Sequence, residues 1–327
     1  MKVLLVTGGA GFIGSNFIKY FMNTNKDFIV VNYDKLTYAG NLANLKDVDN
    51  LPGYYFVKGD ICDRDQFNKT LDEYNPDYVI NFAAESHVDR SIDGPLVFGQ
   101  TNFLGTLNLL QSVQSFWSKT GYSEKRFLQI STDEVYGSID NDTDYFTENS
   151  HLLPNSPYSS TKAGADLLVR SFYKTYGLPV LITRCCNNYG PYQYSEKFIP
   201  TCISKALNNQ PIPIYGDGTN VREWIHVLDH CAAITNVLFS GSPGEIYNIG
   251  SGDEISNIEM AQIILSILRK SQDSIIKVTD RLGHDRRYAI DSSKARNDLG
   301  WSCNYKFREG ILETVLWYKN NPTWLGC

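Results

Sequence analysis

The stretch Val3-Leu4-Leu5-Val6-Thr7-Gly8-Gly9-Ala10-Gly11-Phe12-Ile13-Gly14 decides how this chain is read. Residues 3–7 are a short apolar run of strand type. Glycines then arrive with the spacing G-x-x-G-x-x-G, and an amphipathic run over 12–21 follows. Gly8 permits a tight turn, Gly11 lets the backbone approach a pyrophosphate, and Gly14 lets helix and strand pack closely. The helix N-terminus then offers free N–H groups to phosphate. Glycines alone would say little, because turns commonly carry them. The strand–turn–helix setting is what gives the spacing meaning.

Working outward, a second strand over 28–33 ends at Asp34, about 20 residues past the last glycine. A carboxylate there accepts hydrogen bonds from an adenosine ribose and repels a 2′-phosphate, which favours NAD over NADP. Asp34 could instead cap a turn or helix. Asp60-Ile61, after a third strand over 54–57, is placed to flank an adenine, or is an ordinary strand-end turn.

The alternation continues. A helix is expected over 63–73, strands over 78–82 and 127–131, a long helix over 95–117, a helix over 158–176 and a strand over 180–185. Such a rhythm implies a Rossmann-type, doubly wound parallel sheet with helices on both faces. After about 187 Pro, Gly and Asn become frequent, with helices remaining over 196–208, 258–269 and 307–318. The expected division is a cofactor-binding, catalytic part over 1–186 and a smaller α/β substrate lobe over 187–327, with chain crossing between them.

Composition narrows the classes. Of 327 residues, 42 % are hydrophobic and 20 % charged, an ordinary globular balance. Thirty Lys and Arg against 36 Asp and Glu give a net charge of −6, without the basic footprint of nucleic-acid or anionic-membrane binding. A small anion is still accommodated where basic residues converge. Seven cysteines without a C-x-x-C pair argue against a disulfide framework or a zinc ribbon. The vicinal Cys185-Cys186 pair is expected as reduced thiols. There is no signal-peptide pattern and no apolar run of membrane-spanning length. The expected location is the cytoplasm.

Tyr158 and Lys162 stand four residues apart, so on a helix they share a face. A lysine ammonium beside a phenol is expected to lower the tyrosine pKa, and the lysine can also reach a nicotinamide ribose. About 25 residues earlier, Ser131-Thr132-Asp133-Glu134-Val135-Tyr136-Gly137 ends a strand with two adjacent carboxylates. Such a pair either caps the next turn or supplies a general acid and a general base, provided their environments separate the two pKa values.

Glycine motif plus Tyr-x-x-x-Lys resembles the extended short-chain dehydrogenase/reductase superfamily. Within it, the run 83–91 (Ala-Ala-Glu-Ser-His-Val-Asp-Arg-Ser), the run 131–137, Asn187-Asn188-Tyr189-Gly190-Pro191-Tyr192, Val221-Arg222-Glu223-Trp224 and the run 283–291 resemble the dTDP-glucose 4,6-dehydratases along nearly the whole chain. Thr161, Cys186 and Leu282 depart from the usual serine, serine and proline; none removes a group the chemistry needs.

The resemblance implies a redox-neutral cycle: oxidation at C4 of the sugar, loss of water across C5 and C6, and hydride return to C6. It assigns Thr132, Tyr158 and Lys162 to the C4 hydroxyl, Glu134 to the C5 proton and Asp133 to the departing C6 hydroxyl. NAD would be regenerated each turnover and stay bound. Around it the resemblance places Gly8, Gly11, Phe12, Ile13, Gly14, Asp34, Lys35, Leu36, Thr37, Asp60, Ile61, Ala83, Ala84, Ser86, Thr101, Tyr158, Lys162 and Asn188. Around the nucleotide sugar it places Ser86, Thr132, Asn187, Lys197, Phe198, Pro213, Ile214, Tyr215, Arg222, Asn257, Arg281 and His284. Arginine suits a diphosphate because its planar fork matches the oxygens. His226 and His230 are spaced i, i+4, but no third ligand accompanies them, so no metal is expected. A homodimer built on helices 95–117 and 158–176 is expected by the same likeness. The readings left open are a 4-epimerase or sugar-acid decarboxylase, a 4,6-dehydratase for another nucleotide sugar, and a silent NAD-binding regulator.

Overall fold

The structure, a computed structural model, describes residues 1–141 and 143–326. Its strands are β1 (Lys2–Thr7), β2 (Phe28–Asp34), β3 (Tyr54–Lys58), β4 (Tyr78–Asn81), β5 (Arg126–Thr132), β6 (Val180–Cys185), β7 (Asn187–Tyr189), β8 (Ile212–Tyr215), β9 (Val221–His226), β10 (Ile246–Ile249), β11 (Glu254–Ser256) and β12 (Ile275–Val278). A seven-stranded sheet runs β10-β6-β5-β4-β1-β2-β3. Every neighbouring pair in it is parallel. Parallel strands need crossovers, and the helices supply them: α1 (Phe12–Thr24), α2 (Arg64–Tyr74), α3 (Val88–Asp93), α4 (Pro95–Phe98), α5 (Thr106–Trp117) and α6 (Pro157–Tyr176). This is the doubly wound sheet that the alternation predicts. The strand order reverses at β1, with β2 on one side and β4 on the other. A crevice opens there beyond the strands' carboxyl ends.

Local chemistry sets the element ends. Gly11 precedes α1 without a side-chain cap, so the first N–H groups of that helix stay available. Ser156 and Ser159 close a capping box at α6, with Pro157 at its first position and Gly177 in the left-handed conformation at its end. Tyr158 therefore sits in the first turn and Lys162 one turn further.

The expected helix over 95–117 is present, with one difference. Between α4 and α5 the segment Gly99–Gly105 winds as a π-helix. A π-turn carries an extra residue per turn and has no simple periodicity signature.

The second half adds α7 (Phe198–Leu207), α8 (Val227–Ser240), α9 (Asn257–Leu268), α10 (Ser293–Leu299) and α11 (Phe307–Asn320). It also adds two small sheets, β11-β9-β7 and β12-β8. Chain crossing takes a definite form. β10 is an edge strand of the large sheet, and α8 buries Cys231, Ile234 and Val237 in one core with Phe17 and Phe21 of α1. A second core, including Phe67, Val113 and Trp117, lies under α2, α5 and α6, and a third, including Ile203, Trp224 and Ile264, fills the outer lobe. No helix among the described residues is long and apolar enough to cross a membrane.

Candidate active site

A cavity of about 330 Å³ opens at the sheet's switch point. Gly8, Gly11, Phe12, Ile13 and Gly14 line its floor. Gly8 has φ of +71°, and a Cβ there would stand 2.5 Å from the Ala83 nitrogen, in the loop after β4. A Cβ on Gly14 would stand 2.4 Å from the Gly8 carbonyl oxygen. The cradle is thus shaped by missing side chains, and it presents an uncapped helix N-terminus. A dinucleotide pyrophosphate fits both features.

Asp34 lines the cavity and also braces the loop. Its two carboxylate oxygens accept from the N–H groups of Ala10 (2.9 Å) and Leu36 (2.7 Å). Turn-capping and cavity-lining therefore occur in the same residue. Asp60 is held by Lys35 at 2.7 Å and by the Cys62 N–H. Burial acts to raise the Asp60 pKa, but these two donors bring it below its ordinary value. Lys35, Thr37, Ile61, Ala83, Ala84, Ser86, Thr101 and Asn188 line the same cavity. Leu36 is outside the lining; what it offers is its backbone N–H.

Thr132, Glu134, Tyr158 and Lys162 meet on the opposite wall. Asp133 sits behind them, buried, outside the lining, with Oδ2 unpartnered and Oδ1 accepting from the Thr132 hydroxyl at 3.2 Å. Its carboxyl is pushed well above the ordinary range by burial, by Glu134 and by Glu223. Glu134 is raised too, first by burial, but Arg222, Arg281 and Lys197 all oppose the shift. The two adjacent acids thus differ in kind. One has its pKa raised by burial and by two carboxylates, and the other faces three cations that oppose its rise.

The tyrosine differs from expectation. Burial, Glu134 and Asp133 hold the Tyr158 phenol well above its ordinary pKa, with the Thr132 hydroxyl opposing. The Lys162 ammonium donates to the Ile130 carbonyl at 2.7 Å. Burial lowers Lys162 itself to about 8.

Among the residues expected around a sugar nucleotide, Ser86, Thr132, Asn187 and Lys197 line the cavity. Lys197 donates to the Ser86 carbonyl at 2.6 Å. Phe198, Pro213, Ile214, Tyr215, Arg222, Asn257, Arg281 and His284 lie outside its lining. Several of them group beside it. Tyr215 donates to Asp89 at 3.2 Å, Arg281 approaches the same carboxylate at 3.5 Å, and His284 lies 2.7 Å from Asp280. Arg222 donates to the carbonyls of Val221 and Asp285 and stacks 4.3 Å over Tyr288. Asn257 opens α9, and Phe198 stacks on Trp224. Alternation along β8 turns Pro213 and Tyr215 outward and Ile214 into the outer-lobe core, leaving only its backbone for a ligand.

Sequence reasoning missed Tyr38, Gln193, Tyr194, Cys185, Cys186 and His230 as lining residues. Tyr38 lay only four residues past Asp34, the one signal available. His226 and His230 are engaged separately. His226 caps α8 and stacks on Tyr305 at 3.8 Å, while His230 meets Asn188 at 2.9 Å.

Comparison with known proteins agrees with this arrangement. The family model described as GDP-mannose 4,6 dehydratase matches residues 5–314. The dTDP-glucose 4,6-dehydratase of Xanthomonas campestris pv. campestris (strain B100) is 51 % identical, over 99 % of this chain and 95 % of the relative. That of Neisseria meningitidis serogroup B (strain MC58) is 46 % identical, over 99 % and 95 %. The crystal structure of DesIV, a dTDP-glucose 4,6-dehydratase from Streptomyces venezuelae with NAD and TYD bound, superposes with a TM-score of 0.93 at 48 % identity, covering 98 % of each chain. By sequence over nearly its full length, and by fold, the chain belongs to the GDP-mannose 4,6 dehydratase family and, within it, to the dTDP-glucose 4,6-dehydratases.

Proposed function

We propose that this chain is an NAD-dependent hydro-lyase that converts dTDP-glucose to dTDP-4-keto-6-deoxyglucose and water. The observation that carries this reading is the Asp133–Glu134 pair beside Tyr158, with Glu134 in the wall of the cleft whose floor is the glycine cradle and Asp133 buried directly behind it. An epimerase or simple dehydrogenase has no use for such an acid and base.

What NAD supplies when bound is a reversible hydride acceptor. The chain supplies the proton chemistry. Thr132 hydrogen-bonds the 4-hydroxyl oxygen, and Tyr158 takes its proton as the phenolate, a form that burial and the two neighbouring acids oppose and that Lys162, one turn along α6, would favour by turning its ammonium from the Ile130 carbonyl toward the phenol. The 4-ketone acidifies the neighbouring C5–H. Glu134 removes the C5 proton, and Asp133, its pKa raised by burial and its acidic neighbours, protonates the C6 hydroxyl, which leaves as water; C6 then takes back the hydride removed from C4, and Glu134, whose proton exchanges with water, reprotonates C5. Holding contiguous carbons in one site makes each step effectively intramolecular.

Residues 1–186 carry the cofactor and the catalytic groups. Much of 187–327 takes the nucleotide, with Lys197, Arg222, Asn187 and Asn257 toward the diphosphate and Arg281 and His284 in a loop near the nucleotide. The protein works as a homodimer. Its cysteines, free at 62, 185, 186, 202, 231 and 303, suit a reducing compartment, in keeping with the cytoplasm.

The test is incubation with dTDP-glucose in deuterated water, followed by NMR. A 4-keto-6-deoxy product with deuterium at C5 is expected. Recovery of dTDP-galactose, or unchanged substrate, would overturn the assignment. Glu134→Gln is expected to lower turnover by about 10²–10⁴-fold. Because C4 oxidation precedes the lost step, mixing this variant with substrate should accumulate bound NADH absorbance.

A further inference from the structure

The segment 190–197 crosses the cleft like a strap. Gln193, Tyr194 and Lys197 face the cavity from it. One end is fastened to α1 and α11. Asn16 donates to the Pro191 carbonyl at 3.0 Å, Lys19 lies 3.4 Å over the Tyr192 ring, and the Tyr318 hydroxyl donates to the carbonyls of Gly190 and Gln193. Near this end, Gly190 and Tyr192 have φ of +143° and +72°. Left-handed backbone at two nearby residues, one of them a tyrosine, fixes a sharp change of direction.

The other end is fastened differently. The Arg90 guanidinium forks onto Glu196, with Nε at 3.1 Å, and lies 4.0 Å over the Tyr38 ring. Tyr38 in turn meets Tyr194 edge-to-face at 5.4 Å. His87 approaches Glu196 at 3.8 Å. Four residues from three separate parts of the chain thus close over the cavity: Tyr38 after β2, Arg90 in α3, and Tyr194 with Glu196 on the strap. The closure stands in water, with 42 % of the Arg90 side chain and 37 % of the Glu196 side chain exposed. Exposed ion pairs of this kind are individually weak, so this is the end that opens first.

We propose that Arg90, Tyr38, Tyr194 and Glu196 form a latch that retains the bound dinucleotide through turnover, and that release of NAD requires this end of the strap to lift. Arg90 is a positioning residue here, since it acts by holding the strap and the Tyr38 ring. The inference rests on the reading that NAD is regenerated in place, because only such a cycle benefits from a closed cofactor site.

The experiment follows NAD release from purified holoenzyme into an excess of an NAD-consuming trap. Arg90→Gln removes both the fork and the cation over Tyr38, and is expected to release NAD about fivefold to tenfold faster. Arg90→Lys keeps a cation over the ring without the fork, and should fall between the two. Turnover of Arg90→Gln is expected to decline with dilution and to recover when NAD is added. Thermal unfolding of the NAD-saturated variants confirms that each is folded. Release from Arg90→Gln at the wild-type rate would overturn the latch, as would lost turnover that added NAD does not restore. Variants that release NAD as expected, in a protein that leaves dTDP-glucose untouched, would support the latch and refute the assigned reaction instead.

Discussion

A single methyl group tests the residue scale. At Gly14 a Cβ would stand 2.4 Å from the Gly8 carbonyl oxygen and 2.8 Å from the Gly9 Cα. Both neighbours are backbone, so the loop must shift, and the pyrophosphate cradle shifts with it. Gly14→Ala is expected to weaken NAD binding by at least about tenfold, read by equilibrium titration of the NAD-free protein. The glycines were legible because strand, turn and helix follow one another within 20 residues. Thr132, Asp133, Glu134, Tyr158 and Lys162 were legible as residues, but their states were not. Burial and the neighbouring acids raise both the Asp133 carboxyl and the Tyr158 phenol above their ordinary pKa values, and that burial is set by distant parts of the chain. The local i, i+4 argument expected Lys162 to lower the Tyr158 pKa, whereas burial and the neighbouring acids raise it and the Lys162 ammonium donates to the Ile130 carbonyl.

At the scale of elements, Glu223 ties β9 to two loops. It accepts from the Gly252 N–H at 2.7 Å and from the Ile290 N–H at 3.1 Å, and burial pushes its carboxyl up to about 7. A folded-state pKa raised above 4.5 means that the folded protein binds the proton more tightly than the unfolded chain. Stability tied to this group is therefore present below about 4.5 and lost as pH rises toward 7, by roughly 3 kcal/mol. Urea unfolding of wild type and Glu223→Gln across that window should show wild type losing ground to the variant as pH increases. A constant difference would refute the coupling. Helices α1, α2, α4 to α7, α9 and α11 and strands β1 to β6 were legible from periodicity, whereas the sequence reading did not expect α3, α8, α10, β9 and β10. The three- and four-residue strands β7, β8, β11 and β12 were not legible, because so few residues show no alternation distinct from chance. The π-turn over 99–105 escaped for a similar reason, although it carries Thr101 to the cavity wall.

For the whole molecule, exposed leucines point to association. Leu96, Leu104 and Leu167 are 74 %, 54 % and 57 % exposed on the neighbouring helical run 95–117 and on α6. Each leucine buried in an interface contributes about 1.5–3 kcal/mol. Sedimentation is expected to show a dimer for wild type and a monomer for Leu104→Glu combined with Leu167→Glu. A dimer surviving both changes would move the interface elsewhere. By itself the sequence determined the parallel α/β architecture and the cofactor cradle, because each is written in local spacing: 3.6 for helices, short apolar runs for strands, two residues between glycines. Only the tertiary structure decided that β10 and α8 return from the second half to the first sheet, that Ile214 turns into a core, and that Tyr38, Arg90, Tyr194 and Glu196 meet over the cleft. Those outcomes depend on contacts between residues tens to hundreds of positions apart, and no local period records such contacts.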